Sequence, residues 1–187
     1  MSPGRRKAPK KRLVVVDASV LRGAGHRWPS PSSEGKSCAE VLRTLWRVCH
    51  SGVYGELLAA EANHHQSQFG RSWRARMSAA GKWLPQLEER GWLQALLASK
   101  HCPLSPSERA NARKDSHLIS LAWVTDRIIL STDDTAGDLF ARLVPLDDRL
   151  APVHWINPRT HCERLIPWLE QGAPERVDWQ LGRRASR

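Results

Sequence analysis

The stretch Leu13-Val14-Val15-Val16-Asp17-Ala18-Ser19-Val20 decides the fold of this chain of 187 residues. A short, uniformly apolar and β-branched run is typical of a strand buried on both faces, as in parallel sheets that helices cover. Such sheets bind ligands beyond the carboxyl ends of their strands, which is where Asp17 stands. Taken alone, Asp17 has two interpretations: a functional acid, or a structural N-cap or arginine partner for the segment that follows.

A second strand with the same ending lies near the other end of the chain. The run Ile128-Ile129-Leu130-Ser131-Thr132-Asp133-Asp134 again leads from apolar residues into acids. A third acid, Asp115, stands near the start of an apolar helix that leads into this strand. A helix that leads into a parallel strand begins near the carboxyl edge of the sheet. Asp115 is therefore expected at the same edge as Asp17 and Asp133, which follow the two strands. The pattern predicts a three-layer α/β/α fold with a central parallel sheet.

A fourth acid comes from the segment after residue 52. Val53-Tyr54 is long enough for a short strand, and the residues from Glu56 to Gln68 are spaced as a helix. If the short strand is parallel to the first, the start of this helix returns to the same edge and brings Glu61 to the other acids. Glu56 competes for this role, and the sequence leaves both open.

The charge balance indicates an anionic partner. Lysine and arginine number 29 against 19 aspartates and glutamates, for a net charge of +10. A basic protein that gathers acids at one edge suits an anionic polymer held by the basic surface and a cation held by the acids. The alternative is that the excess of basic residues serves solubility. Residues 1–12 are predicted to form a flexible basic arm.

The segment around Trp73 offers candidate substrate-binding residues. Arg71, Trp73 and Arg74 are suited to phosphate pairing and base stacking on a single strand. The alternative is a solvated helix face with the tryptophan packed inward.

Cysteine usage predicts reduced thiols in a soluble, cytoplasmic protein. The four cysteines have no CxxC spacing. Zinc at His101-Cys102 and His161-Cys162 is disfavoured, because adjacent side chains rarely face one metal. The longest apolar run is far shorter than the ~20 residues that span a bilayer.

Periodicity and turn residues predict the remaining elements. Ser37, with Glu40 three residues later, has the spacing of a capping box for the first long helix. The expected elements are a loop over 22–36, helices over 37–49, 84–97, 107–123, 135–143 and 163–169, and a strand over 152–158.

In this order the elements resemble the PIN domain family of metal-dependent ribonucleases. The resemblance rests on VVVDASV at 14–20, KDSHLISLA at 114–122 and ILSTDD at 129–134. It covers residues 13–158 and leaves the arm at 1–12 and a C-terminal helix and basic tail at 159–187. The central HHQSQFGRSW at 64–73 is similar to the branch that includes toxins of toxin-antitoxin pairs.

The resemblance implies an endoribonuclease that hydrolyses RNA phosphodiester bonds with Mg²⁺ or Mn²⁺, an antitoxin protein partner and a homodimer. Ser19 is implied to form a hydrogen bond within the site. The implied metal-binding acids are Asp17, Glu61, Asp115 and Asp133, with Asp134 as a fifth.

Other chemistries fit less well. A haloacid-dehalogenase-like phosphatase needs a second aspartate two positions after the first, where this chain has Ser19. No GxGxxG follows the first strand, which argues against a dinucleotide site. His117 is interpreted as a packed histidine rather than a base. A DNA substrate stays open, and the alternative to an enzyme is a nucleic-acid-binding module with a degenerate PIN-like site.

Overall fold

The computed structural model describes residues 10–25, 33–89 and 91–186. Residues 1–9 of the predicted basic arm and residues 26–32 of the predicted loop lie outside this part of the chain.

Five strands form one sheet in which every neighbouring pair is parallel. The order is β3-β2-β1-β4-β5, so the strand that precedes Asp17 lies at the centre. Val16 of β1 is in register with Leu130 of β4, which places the carboxyl ends of the two strands side by side. The strands are β1 Leu13–Val16, β2 Ser51–Tyr54, β3 Trp83–Pro85, β4 Ile128–Leu130 and β5 His154–Ile156.

Helices connect the strands and cover the sheet. Val14, Val15 and Val16 have no exposed surface, and because successive side chains of a strand point to opposite faces, both faces of β1 are covered. This agrees with a three-layer α/β/α arrangement. The described helices are α1 Ala18–Gly23, α2 Ser33–Arg47, α3 Glu56–His65, α4 Gln68–Ala79, α5 Gly91–Ala98, α6 Pro106–Trp123, α7 Asp134–Ala141, α8 Pro158–Glu170 and α9 Leu181–Ala185.

The prediction of a helix over 84–97 is wrong at its start. Residues Trp83–Pro85 form the edge strand β3, and α5 begins only at Gly91. Pro85 pairs in register with Tyr54 at the end of the strand. Proline has no N–H to donate, so an edge strand accepts it where a central strand would not.

The predicted capping box of α2 is also wrong. The helix begins at Ser33, so Ser37 and Glu40 lie inside it. The helix continues through Gly35 because a lone glycine is tolerated in a helix, at a cost of ~1 kcal/mol. A capping box does open α6, where the Ser105 hydroxyl accepts from Glu108 N and the Glu108 carboxylate accepts from Ser105 N.

The C-terminal region contains more regular structure than the predicted helix and basic tail. Helix α8 covers Pro158–Glu170, and residues 181–185 of the predicted basic tail form α9. None of the four cysteines, all of which lie in the described part of the chain, forms a disulfide. No helix within the described ranges combines the length and the apolar character needed to cross a membrane.

Candidate acidic site

Asp17 is buried at the junction of β1 and β4. Its backbone N–H donates to Leu130 O at 3.0 Å, which extends the ladder between the two strands by one bond. Only 6% of the residue is exposed. Asp17 stands at the N-cap position of α1, but its side chain makes no capping hydrogen bond. Its carboxylate is therefore not used for the structural role that the sequence left open.

Two serine hydroxyls hold the Asp17 carboxylate. Ser131 Oγ donates to Asp17 Oδ2 at 2.7 Å and Ser19 Oγ donates to the same oxygen at 2.5 Å. The hydrogen bond predicted for Ser19 is therefore present, and its partner is Asp17. Each hydroxyl also accepts a backbone N–H, Ser19 from Thr132 at 3.0 Å and Ser131 from Asp133 at 3.1 Å. The network orients Asp17 and ties it to the loop that carries Asp133.

Asp133 is fixed from two sides after the end of β4. Its Oδ1 accepts from Ala136 N at 2.9 Å and caps α7, which places the carboxylate at the positive end of that helix. Trp155 of β5 donates its indole N–H to the Asp133 carbonyl at 3.0 Å. The side chain itself is exposed, so the position is held while the carboxylate still faces solvent.

Asp115 on α6 is coupled electrostatically to the other acids. Burial raises the pKa of Asp115 to about 7, and the negative charges of Asp17, Asp133 and Glu61 add to the effect, while Lys114 opposes it. Like charges raise the pKa of a carboxyl only when they are near. Asp17, Glu61, Asp115 and Asp133 are called the acidic cluster from here on.

The structure favours Glu61 over Glu56 as the acid from α3. Glu56 is exposed in the first turn of the helix. Glu61 Oε2 lies 3.7 Å from Nε2 of His117, which is buried on α6 two residues after Asp115. Spacing along the chain does not separate the two glutamates, because only the packing of α3 on α6 shows which one faces Asp115.

His117 has a contact that the sequence does not reveal. Its Nδ1 is 2.9 Å from the Lys114 carbonyl, which can only accept, so Nδ1 carries the proton. The other ring nitrogen, Nε2, is buried and has no hydrogen-bond partner among the described residues. His117 is packed, as predicted, and at the same time presents Nε2 to Glu61.

Asp134 faces away from the acidic cluster. Its Oδ2 accepts from Asn157 Nδ2 at 2.7 Å, and its Oδ1 pairs with Arg184 of α9 at 3.1 Å. Asp134 is not among the charges that raise the pKa of Asp115. The implied role as a fifth metal-binding acid is not supported, because both oxygens are engaged by the C-terminal elements.

The acidic cluster contains acids without cationic partners. Within the described ranges Asp17, Asp115 and Asp133 form no ion pair with lysine or arginine, although basic residues outnumber acids in the chain. In the same part of the chain no three His, Cys, Asp or Glu side chains form a preassembled metal-binding group. The cluster therefore gathers negative charge without the closed geometry of a structural zinc site.

Part of the predicted substrate-binding segment has a structural role. Trp73 is 3% exposed and donates its indole N–H to the Leu42 carbonyl, so its predicted stacking on a base is wrong and the inward-packed alternative is right. Arg74 donates to the side-chain oxygens of Asn63 and Gln66, both at 3.0 Å. Of the three predicted residues only Arg71 is exposed, on the outer face of α4.

We expect Asp115→Asn to raise the melting temperature of the metal-free protein at pH 8. The carboxyl has a pKa of about 7 when folded and ~4 when unfolded, so its charge opposes folding above pH 7. This opposition fades as the pH falls from 7 to 4 and is absent below 4. Differential scanning fluorimetry with chelator should show a gain of roughly 2–6 °C at pH 8 and none at pH 4.

The matched control is Asp148→Asn, which changes an exposed aspartate in the same way. We expect no pH-dependent gain from it. A gain over the wild type that is no larger at pH 8 than at pH 4 would show that burial and the neighbouring negative charges do not raise the pKa of Asp115.

Comparison of the chain with models of protein families, with curated proteins and with solved structures gave no match.

Proposed function

We propose that this chain is a metal-dependent endoribonuclease of the PIN type. The observation that supports the proposal is the setting of Asp17, a buried carboxylate held by two serine hydroxyls within a cluster of acids that has no lysine or arginine partner in the described part of the chain. Buried charge without a counter-charge is costly, and a divalent cation relieves the repulsion.

The donor set fits magnesium or manganese. Both ions prefer carboxylate oxygens and water, and Mg²⁺ keeps several of its waters, so one or two direct carboxylates suffice. A site of this kind does not need three preassembled protein ligands. Asp17 and Asp133 would hold the ion, with Asp115 and Glu61 around it. A bound ion of this class lowers the pKa of a water and stabilises charge on phosphate oxygens.

The chain's own residues prepare this site. Ser19 and Ser131 bond the same oxygen of Asp17, which leaves Oδ1 as the oxygen that is not committed to a hydroxyl. Burial and the neighbouring acids raise the pKa of Asp115 to about 7, and a nearby cation favours the ionised form because it stabilises the carboxylate. His117 of α6 lies beside Glu61, with 3.7 Å between Nε2 and Oε2.

The basic surface supports a nucleic-acid substrate. A net charge of +10 attracts a polyanion irrespective of its sequence. The same charge supports the second candidate, a nucleic-acid-binding module without catalysis. From the resemblance alone we extend the proposal to a toxin with a protein antitoxin and to a homodimer.

The test is cleavage of a labelled single-stranded RNA by the purified full chain. We expect cutting with Mg²⁺ or Mn²⁺ and none with excess chelator, and cutting should return when metal is restored. The control variant Asp148→Asn should cleave the RNA as the wild type does. A single-stranded DNA of the same sequence tests whether the enzyme accepts deoxyribose as well as ribose. Binding of RNA without cutting in either metal would overturn the proposal in favour of the binding module.

A further inference from the structure

A large groove lies between α2 and α4, apart from the acidic cluster. Its volume is about 1040 Å³. The buried Trp73 lines it together with polar and other aromatic side chains. The residues that matter here are Glu40, Arg43, Trp46, Arg47, Phe69 and Arg76.

Two arginines of the groove lie over aromatic rings. The Arg43 guanidinium is 5.0 Å from the centroid of the Phe69 ring, and that of Arg76 is 5.8 Å from the Trp46 ring. Trp46 is 43% exposed, which is unusual for a residue of this size in a core-facing helix. The rings hold the guanidinium groups in place while their N–H donors still face the groove.

The groove is positively charged. It presents Arg43, Arg47 and Arg76 against the single acid Glu40. Among the described residues Arg43 and Arg76 form no ion pair, and Arg47 pairs only at 3.5 Å with Glu170, where both side chains are about half exposed. Exposed pairs of this length contribute little, so the three charges are available to an anion.

Helix α1 connects the groove to the acidic cluster. Asp17 is the N-cap of α1, and Gly25, just past its C-terminal end, lines the groove. A helix of six residues is ~9 Å long. Helix α4 is fixed to α1 because Ser67 Oγ donates to the Leu21 carbonyl at 2.7 Å. A strand of nucleic acid that crosses the cluster therefore reaches the groove within a short distance.

We propose that the α2–α4 groove binds the single-stranded RNA that flanks the scissile phosphodiester, an inference that rests on the proposed function. The arginines pair with phosphates, and their guanidinium planes, together with the exposed part of Trp46, offer flat surfaces on which unstacked bases can stack. An acidic peptide would use the arginines but has less need of the aromatic rings. The combination of rings, guanidinium groups and a short distance to the cluster along α1 favours RNA.

The test measures binding of a labelled single-stranded RNA in chelator, where no cutting occurs. The double variant Arg43→Gln/Arg76→Gln should bind about 10-fold more weakly, and the slope of log affinity against log salt should become shallower by ~1.4, since each contact to a single strand accounts for ~0.7. Trp46→Ala should weaken binding at constant slope, and Trp46→Phe should restore most of it. The control Lys100→Gln/Arg183→Gln removes two exposed charges that do not line the groove.

Cleavage assays separate this inference from the proposed function. With metal, the groove variant should raise KM for RNA and leave hydrolysis of bis(4-nitrophenyl) phosphate, which is too small to reach the groove, unchanged. If the wild-type protein hydrolyses neither RNA nor bis(4-nitrophenyl) phosphate, the proposed function is refuted. The binding measurements in chelator still test whether the groove binds RNA. Equal weakening by the control pair would overturn the groove proposal. A polyglutamate peptide that displaces RNA and depends on Arg43 and Arg76 but not on Trp46 would reassign the groove to a protein partner.

Discussion

Replacing Asp17 with asparagine is expected to lower metal-dependent RNA cleavage by about 10²- to 10³-fold, the range seen when one preorganised electrostatic group is lost. Asparagine keeps the size of the side chain, and its amide oxygen can still accept from Ser19 and Ser131. It removes the negative charge that attracts a cation. The rate of cleavage of a labelled RNA under single-turnover conditions measures the effect.

RNA binding distinguishes the loss of chemistry from the loss of structure. Without metal, Asp17→Asn should bind RNA as tightly as the wild type or more tightly, because one charge that repels phosphates has been removed. The Asp148→Asn control should match the wild type in both assays. An Asp17→Asn protein that is folded and still cleaves at the wild-type rate would exclude the acidic cluster as the site of hydrolysis.

Replacing Trp155 with alanine is expected to destabilise the fold by ~3–5 kcal/mol, as is usual for the loss of a buried large aromatic side chain. Trp155 is 1% exposed and packs on Phe140 with ring centroids 5.7 Å apart. The melting temperature should fall by roughly 10 °C. Thermal unfolding followed by circular dichroism measures the change.

Trp155→Phe tests the hydrogen bond apart from the packing. It retains a ring but removes the N–H that reaches the Asp133 carbonyl. We expect a smaller loss of stability, ~1–2 kcal/mol, together with a clear loss of cleavage because Asp133 is less well held. Unchanged cleavage in a stable Trp155→Phe protein would show that the bond supports the fold and has no part in positioning Asp133.

The central strands and two of the acids could be predicted because their signals are local. An apolar β-branched run that ends on an acid marks β1 and β4, and the parallel arrangement then brings Asp17 and Asp133 to one edge. These inferences need only the order of elements and the handedness of parallel crossovers. Asp115 was expected at the same edge because it stood near a helix start, but α6 begins nine residues earlier, at Pro106, and only the charges that act on Asp115 show that it lies near Asp17 and Asp133.

Features that depend on tertiary packing could not be read from the chain. The strand β3 consists of three residues and ends on proline, too short for a periodic signal. Trp73 lies between Arg71 and Arg74 in the sequence, which is typical of a residue that contacts nucleic acid. Only the packing of α4 against α2 shows that its side chain points inward. The role of Ser131 has no local signal in the sequence, because its partner Asp17 is 114 residues away.

That separation has a consequence for protein synthesis. The Ser131 hydroxyl that bonds Asp17, the acid Asp133 and the indole of Trp155 all come from the last third of the chain, so an emerging polypeptide carries Asp17 long before it can carry these groups. The proposed hydrolytic site would thus come into existence only as β4 and β5 join the sheet, late in translation. Any nuclease activity is then withheld from nascent and truncated chains by topology, without a separate inhibitor.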